Sequence, residues 1–201
     1  MFDLIKSNIL LLILGLFVLK YLIQIYFSIT NRKQVIAFVE KPFVHSILIW
    51  LNALPLFVFF LIKSDSLNNL NLGFTILFLG ILIGIWGLIN LNKNYHDDLV
   101  FYKESKLIKT GIFSVVRHPI RLGICLEVSA IFVFISSIYF SPLLFMFYFL
   151  NYKRTIKEEQ FLLKIYKEDA IEYFENVPRF NLLKGVFRKF VDHNDELQLH
   201  S

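Results

Sequence analysis

Long apolar runs are the feature that most constrains this chain. Four stretches are long enough to cross a hydrocarbon layer of about 30 Å, which takes about 20 helical residues; they are residues 9–29, 43–62, 72–91 and 122–140. A fifth stretch, 142–163, is strongly apolar only through Leu150. Because lipid offers the backbone no hydrogen-bond partners, such runs cross membranes as helices. The sequence predicts an all-α, polytopic integral membrane protein with about five transmembrane helices.

Composition supports this class of protein. Of 201 residues, 56% are hydrophobic and 18% are charged, whereas soluble domains usually have about 45–50% and about 25%. The length fits a single membrane domain. The first apolar run is too long for a signal peptide and lacks a small-residue cleavage site, so we expect it to be retained. The lone Cys125 excludes a disulfide framework, and the scattered histidines predict no metal site.

The distribution of basic residues predicts an orientation. Lysine and arginine are concentrated in the loops 31–42 and 92–121 and in the tail after residue 152, whereas the loop 63–71 has few charges. The positive-inside rule places the basic segments and the C-terminus in the cytoplasm and the N-terminus outside. We expect a bacterial inner-membrane location with lipid neighbours. The net charge of +5 then reflects cytoplasmic loops and indicates no nucleic-acid partner.

Some polar and small residues stand out within the spans. Glu127 lies in the fourth span, where a carboxylate is costly. It is expected either to pair with a cation of a neighbouring helix, such as Lys20, or to contact a ligand. Gly80 and Gly84 have the small-xxx-small spacing that predicts close helix packing. Gly123, one turn before Glu127, leaves room for a ligand or for a second backbone.

Two polar motifs lie at the predicted cytoplasmic face. In the first, Pro119 suits the first position of a helix, with His118 near its N-cap. Free backbone N–H groups there, with Arg117 and Arg121 beside them, favour an anion. In the second, Arg154 and Glu158 form an i,i+4 pair, and the adjacent Glu159 points about 100° away. Taken singly, the motifs indicate a lipid-headgroup cluster and a solvated charged face.

The two motifs together resemble the isoprenylcysteine carboxyl methyltransferase family, which is related to the phospholipid N-methyltransferases. The resemblance covers about residues 75–180 and also includes a lead-in at Leu107–Gly111 and an ending at Tyr173 and Val177-Pro178-Arg179-Phe180. Two positions depart from the family pattern. Arg121 stands where the family commonly has tyrosine, and the sequence after the glutamates reads Tyr166-Lys-Glu-Asp-Ala170.

The resemblance implies an integral membrane enzyme that uses S-adenosylmethionine. His118, Pro119 and Gly123 match the positions of the cofactor-binding loop and helix start, and Glu158 and Glu159 match cofactor-holding positions. Arg154 and Glu158 are implied to be catalytic. Two further residues are candidates for contact with the substrate: Arg121, as a partner of Glu127 or of an anionic group, and Glu127 itself.

The predicted function is methyl transfer from S-adenosylmethionine to a lipophilic acceptor at the cytoplasmic face. An isoprenylcysteine-like carboxylate, a lipid amine and a thiol remain open as acceptors. The alternatives are a non-catalytic membrane protein that binds a lipid or a partner, and a small transporter. The fourth and fifth spans are predicted to form a helical hairpin. Residues 181–201 are expected to form an interfacial amphipathic helix over 182–191 and a polar tail.

Overall fold

A computed structural model of the protein describes residues 2–30, 35–38, 70–95, 100–102, 106–135 and 138–199. These contain six α-helices: α1 (Phe2–Thr30), α2 (Leu70–Leu91), α3 (Pro119–Ile135), α4 (Ser141–Tyr166), α5 (Glu168–Asn176) and α6 (Leu182–Leu199). The predicted helical architecture is confirmed. One addition is a short antiparallel pair of strands, β1 (Val35–Phe38) and β2 (Val100–Tyr102). It lies in predicted loops, where three or four residues give too short a pattern to indicate a strand.

The helix bounds follow the predicted apolar runs with shifts at the ends. α2 matches the run 72–91 closely, and α4 extends the run 142–163 by a few residues. α3 begins earlier than the run 122–140, at Pro119, and ends at Ile135. The proline at the first helical position is as predicted, because its missing N–H is not needed there. The predicted second span, 43–62, lies outside the described residues.

One described helix meets the requirements for crossing a membrane by length and composition. It is α2, over Asn71–Leu91, and α1 contains a shorter apolar segment, Gly15–Phe27. α3 has 17 residues, which at 1.5 Å per residue is about 26 Å and short of a typical hydrocarbon core. Five spans therefore remain a prediction, and the described part of the chain supports one.

α2 and α3 cross with their backbones in contact. A Cβ atom added to Gly123 would lie 2.6 Å from the Gly80 carbonyl oxygen and 3.0 Å from the Gly84 nitrogen. The predicted close packing at Gly80 and Gly84 is confirmed. Of the two uses considered for the space at Gly123, a second backbone fills it here. The assignment of Gly123 to the cofactor site stays a prediction.

α1 packs against this crossing. Phe17 of α1 joins Leu77 and Ile81 of α2 and Ala130 and Phe134 of α3 in one apolar cluster. Next to it, Lys20 Nζ lies 2.5 Å from Glu127 Oε1, and both side chains are fully buried. Of the two alternatives for Glu127, the structure shows the ion pair with Lys20, which links the first helix to α3.

α3 and α4 form the predicted hairpin. The register is antiparallel, because Tyr148 lies beside Ser129 at one end, and His118 contacts Glu159 at the other. Tyr148 also donates a hydrogen bond of 3.2 Å to the Cys125 carbonyl. The hairpin brings the beginning of α3 next to the second half of α4, so the two polar motifs meet.

Candidate active site

A turn before α3 positions the first motif. Gly111 has φ of +61°, and a Cβ atom there would collide with the Asn90 side-chain oxygen. That oxygen accepts a hydrogen bond of 2.9 Å from the Ile112 amide. Glycine is therefore required, both for the left-handed backbone and for the close approach. The 3-10 turn Gly111–Ser114 that follows buries Ile112 and Phe113 and leads the chain to His118.

The chain returns to this turn after α5. The amides of Arg117 and His118 donate to the carbonyls of Pro178 and Arg179, at 3.0 and 3.3 Å. The Tyr173 hydroxyl donates to the Phe113 carbonyl at 2.7 Å. Burial is the main cause that raises the pKa of Tyr173, so this hydroxyl remains a donor at neutral pH. These bonds hold the segment before α3 in place and bring Arg179 to the site.

Glu159 is a buried carboxylate with two arginines and a histidine around it. Arg117 Nη1 lies 3.1 Å and His118 Nε2 3.2 Å from its Oε1, and Arg179 Nε lies 3.0 Å from both oxygens. Burial by itself would raise the pKa of Glu159, but the hydrogen bonds of His118 and Arg179 and the charge of Arg117 lower it to about 2. Glu159 is therefore ionised at neutral pH.

Glu158 is the second carboxylate of the cluster. Its Oε2 accepts two hydrogen bonds from Arg121, of 3.1 Å from Nε and 2.7 Å from Nη2, and lies 3.7 Å from His118 Nδ1. Burial would raise the pKa of Glu158, but Arg121 first, then His118 and Arg154, lower it. The suggested pairing of Arg121 with Glu127 is wrong, because Glu127 is held by Lys20 and Arg121 reaches across to α4.

α4 presents a wider polar face than its sequence pattern indicates. Its buried residues include Asn151, Arg154, Thr155 and Glu159. Asn151 and Thr155 bond back along their own helix, to the carbonyls of Phe147 and Asn151. Glu159 thus belongs to the buried stripe, although its spacing from Arg154 places it off the predicted one. His118 lies between the two glutamates and contacts each of them with one ring nitrogen, so both Glu158 and Glu159 face the site.

A cavity of about 210 Å³ opens beside His118. α1, α3, α4 and α5 all contribute to its wall. Its charged and polar lining includes Gln24, Asn94, Lys106, Arg117, His118, Arg121, Arg154 and Glu158, and its apolar lining includes Phe113, Ile124, Leu162 and Phe174. Glu159 lines a neighbouring depression with Arg117 and Arg179. Gly123 and Glu127 line neither space.

Several site residues had no assigned role in the sequence. Arg179 is the main one, and its signal is the Val-Pro-Arg-Phe ending, which the resemblance includes without giving it a function. Gln24 of α1 reaches the cavity from a helix outside the resemblance. Arg117 stacks its guanidinium 4.5 Å from the centre of the Phe174 ring.

Among the residues that the structure describes, no group of three or more metal-ligating side chains could hold a metal ion.

Comparison with known proteins identifies the family of this helical hairpin. The profile of the phospholipid methyltransferases matches residues 68–169, just over half of the chain. No curated protein matches the chain significantly. The matched region contains α2, α3, α4 and the His118, Glu158 and Glu159 cluster, whereas α1 and Arg179 lie outside it. The chain therefore belongs to the phospholipid methyltransferase family, whose members are membrane-associated methyltransferases.

Proposed function

We propose that the protein transfers a methyl group from S-adenosylmethionine to a lipophilic acceptor at the cytoplasmic membrane face. The observation that carries this proposal is the cavity at the start of α3, which His118 and the ionised Glu158 line. The membership of the chain in a methyltransferase family supports the reaction class. The narrower likeness to isoprenylcysteine carboxyl methyltransferases stays part of the proposal.

The residues present fit the chemical groups of S-adenosylmethionine. Its carboxylate suits the N-terminus of α3 and Arg117, whose buried Nε has no hydrogen-bond partner among the described residues. Its amine or ribose hydroxyls suit Glu158, and its adenine suits the apolar wall that includes Phe113 and Phe174. The cavity is smaller than the roughly 300–1,000 Å³ of typical ligand pockets, so it would enclose part of the cofactor.

The chain's contribution to the reaction is binding and orientation. When bound, S-adenosylmethionine supplies an electrophilic methyl group on a sulfonium. Methyl transfer needs an in-line approach, so the rate depends mainly on positioning and on fixed charges. Glu158 and Glu159 are kept ionised by the cationic side chains around them, so no proton has to leave them before a cation binds. Arg154 lines the cavity and is suited to hold an acceptor carboxylate or phosphate.

The acceptor is proposed to enter from the bilayer. Large apolar side chains are exposed on α1 and α4, among them Leu22 and Phe145. Apolar side chains exposed in this way suit contact with lipid chains. A phospholipid amine, a lipophilic carboxylate and a thiol all fit this route.

The test is the binding of S-adenosylmethionine to the full chain in detergent, measured by calorimetry. We expect Glu158→Gln and Glu159→Gln each to weaken binding at least tenfold, because the first loses a ligand carboxylate and the second loosens His118. The matched control is Asp169→Asn, an exposed carboxylate paired with Lys109 at 2.9 Å, which should bind like the wild type. Unchanged affinity in both glutamate variants would contradict the site assignment.

A non-catalytic lipid-binding protein is the second candidate. The observation that favours it is the Arg121–Glu158 ion pair, which occupies a carboxylate that the cofactor would need. The same calorimetry separates the two functions, since a non-enzyme gives no heat at millimolar S-adenosylmethionine. Incorporation of a labelled methyl group into lipid extracts then distinguishes the acceptor classes.

A further inference from the structure

One side of α6 is attached to the turn that precedes the site. A Cβ atom on Gly185 would collide with the Val115 carbonyl, so the helix lies directly on the backbone there. Arg188 Nη2 donates a hydrogen bond of 2.8 Å to the Ser114 carbonyl. Leu182 packs against the cluster of Ile112, Phe113 and Val116. α6 is therefore part of the structure that leads into His118.

The opposite side of α6 is apolar and exposed. Leu183, Phe187 and Phe190 are 83%, 69% and 64% exposed, and Val186 beside them is also exposed. The spacing i, i+4, i+7 places the three residues on one stripe, and the protein-facing Gly185 and Arg188 lie across the helix from it. The described residues leave this stripe uncovered.

Basic residues border the apolar stripe. Lys184 lies on one edge of it and Lys189 on the other, and residues 182–191 contain no acidic side chain. An apolar helix face with a basic border suits a bilayer surface that carries anionic headgroups, because acyl chains accept the stripe while the lysines meet the charge. The family is membrane-associated, and α2 can span, so a bilayer is close to this helix.

We propose that α6 docks by the stripe Leu183, Phe187 and Phe190 on an anionic membrane surface, and that this docking steadies the segment 112–118. The contacts of Gly185 and Arg188 with Val115 and Ser114 carry the effect to His118. The inference concerns membrane contact and loop order, and neither requires that the protein be an enzyme.

Depth-dependent quenching tests the docking. Phe187→Trp is reconstituted as the full chain in nanodiscs of phosphatidylcholine with about one third phosphatidylglycerol, and the signal of the native Trp50 and Trp86 is subtracted with the parent protein. Lipids brominated near the top of the acyl chain should quench the introduced tryptophan at least twofold more than deeply brominated lipids. The matched control, Lys189→Trp on the edge of the stripe, should be quenched at most half as much.

Charge and coupling have their own readouts. Lys184→Gln with Lys189→Gln, added to Phe187→Trp, should reduce the quenching in anionic discs and leave it unchanged in purely zwitterionic ones. Phe187→Glu with Phe190→Glu should raise amide exchange at Val115 and Val116, which bond to the Ile112 carbonyl, at least tenfold. Ile165→Glu, an exposed position on α4 that lines neither the cavity nor the neighbouring depression, should leave this exchange unchanged.

Three results would overturn the proposal. The first is an indole at position 187 that no brominated lipid quenches, or that deep bromines quench most. The second is cross-linking of position 187 between two copies, which would assign the stripe to a protein interface. The third is unchanged exchange at Val115 and Val116 in the double glutamate variant, which would remove the link to the site.

Discussion

Two carboxylates of this chain are almost inaccessible to solvent, and they have very different surroundings. Among the residues that the structure describes, Glu127 has a single cationic partner, Lys20, which lies with it among the apolar side chains of α1, α2 and α3. Glu159 has His118, Arg117 and Arg179 around it, at the edge of an open space. The charges of Lys20 and Glu127 cancel, and apolar side chains surround them; we call this the closed pair. The groups around Glu159, here called the open cluster, carry more positive than negative charge. A buried charge alone does not indicate a ligand site, and an excess of partners beside a cavity does.

Removal of Lys20 from the closed pair should cause the largest loss of stability among these predictions. Lys20→Met leaves Glu127 buried without its cation, which is expected to cost about 3–5 kcal/mol of unfolding free energy. The double variant Lys20→Met with Glu127→Leu should recover most of that loss, because no uncompensated charge remains. Chemical unfolding in detergent measures both. A single variant within about 1 kcal/mol of the wild type would show that the pair does not hold α1 in place.

The open cluster should reveal itself in the dependence of stability on pH. The pKa of Glu159 is lowered from 4.5 to about 2, which corresponds to at most about 3 kcal/mol of folding free energy at neutral pH, because solvent screens part of the interaction. A lowered pKa stabilises the folded state above about pH 4.5, and the contribution is lost as the pH falls toward 2. Glu159→Gln lacks it, so the stability difference between wild type and variant should shrink between about pH 4.5 and about pH 3. A constant difference would contradict the ionised cluster.

The close crossing of α2 and α3 at Gly123 should be destabilised by even one added methyl group. Gly123→Ala places a Cβ atom 2.6 Å from the Gly80 carbonyl, and the backbone shift should cost about 1–3 kcal/mol. The matched control is Gly15→Ala on α1, where an added Cβ meets nothing within 4 Å. That change should be neutral or slightly stabilising. Thermal unfolding of the two variants side by side makes the measurement, and equal losses would exclude a packing effect specific to the crossing.

The smallest effect is expected for Arg121→Tyr, which introduces the residue common in the related family. Glu158 loses two hydrogen bonds but keeps His118 and Arg154 nearby, so the loss of stability should be at most about 1 kcal/mol. The contrast with Lys20→Met would sharpen the difference between a cluster with surplus cations and a pair with none. A loss as large as that of Lys20→Met would mean that the cluster is as closed as the pair.

Local patterns predicted the elements well because each has a local cause. The apolar run predicts α2, Pro119 predicts the start of α3, and Gly80 and Gly84 predict the close crossing. The start of α3 and the turn before it bring His118 to the site. The two glutamates on consecutive positions of α4 then required no tertiary knowledge to be singled out.

The partners of charged residues were harder to predict because they depend on which helices become neighbours. Arg121 has Glu127 nearby in sequence and Glu158 37 positions away, and only the α3–α4 register decides for Glu158. Arg179 acts through a chain reversal after α5, which no periodicity indicates. The strand pair β1–β2 joins segments about 65 positions apart, so neither strand is recognisable alone.

The position of Arg179 has a consequence for how the protein is made. Glu159 precedes it by 20 residues, and synthesis proceeds from the N-terminus. Glu159 therefore leaves the ribosome before the guanidinium that contacts both of its oxygens. α3 and α4 are synthesised while their polar corner is still incomplete, and the return of the segment 173–180 is the step that finishes it. Completion of this site is thus a late event in the synthesis of the chain, because it follows the synthesis of the helices that carry most of its residues.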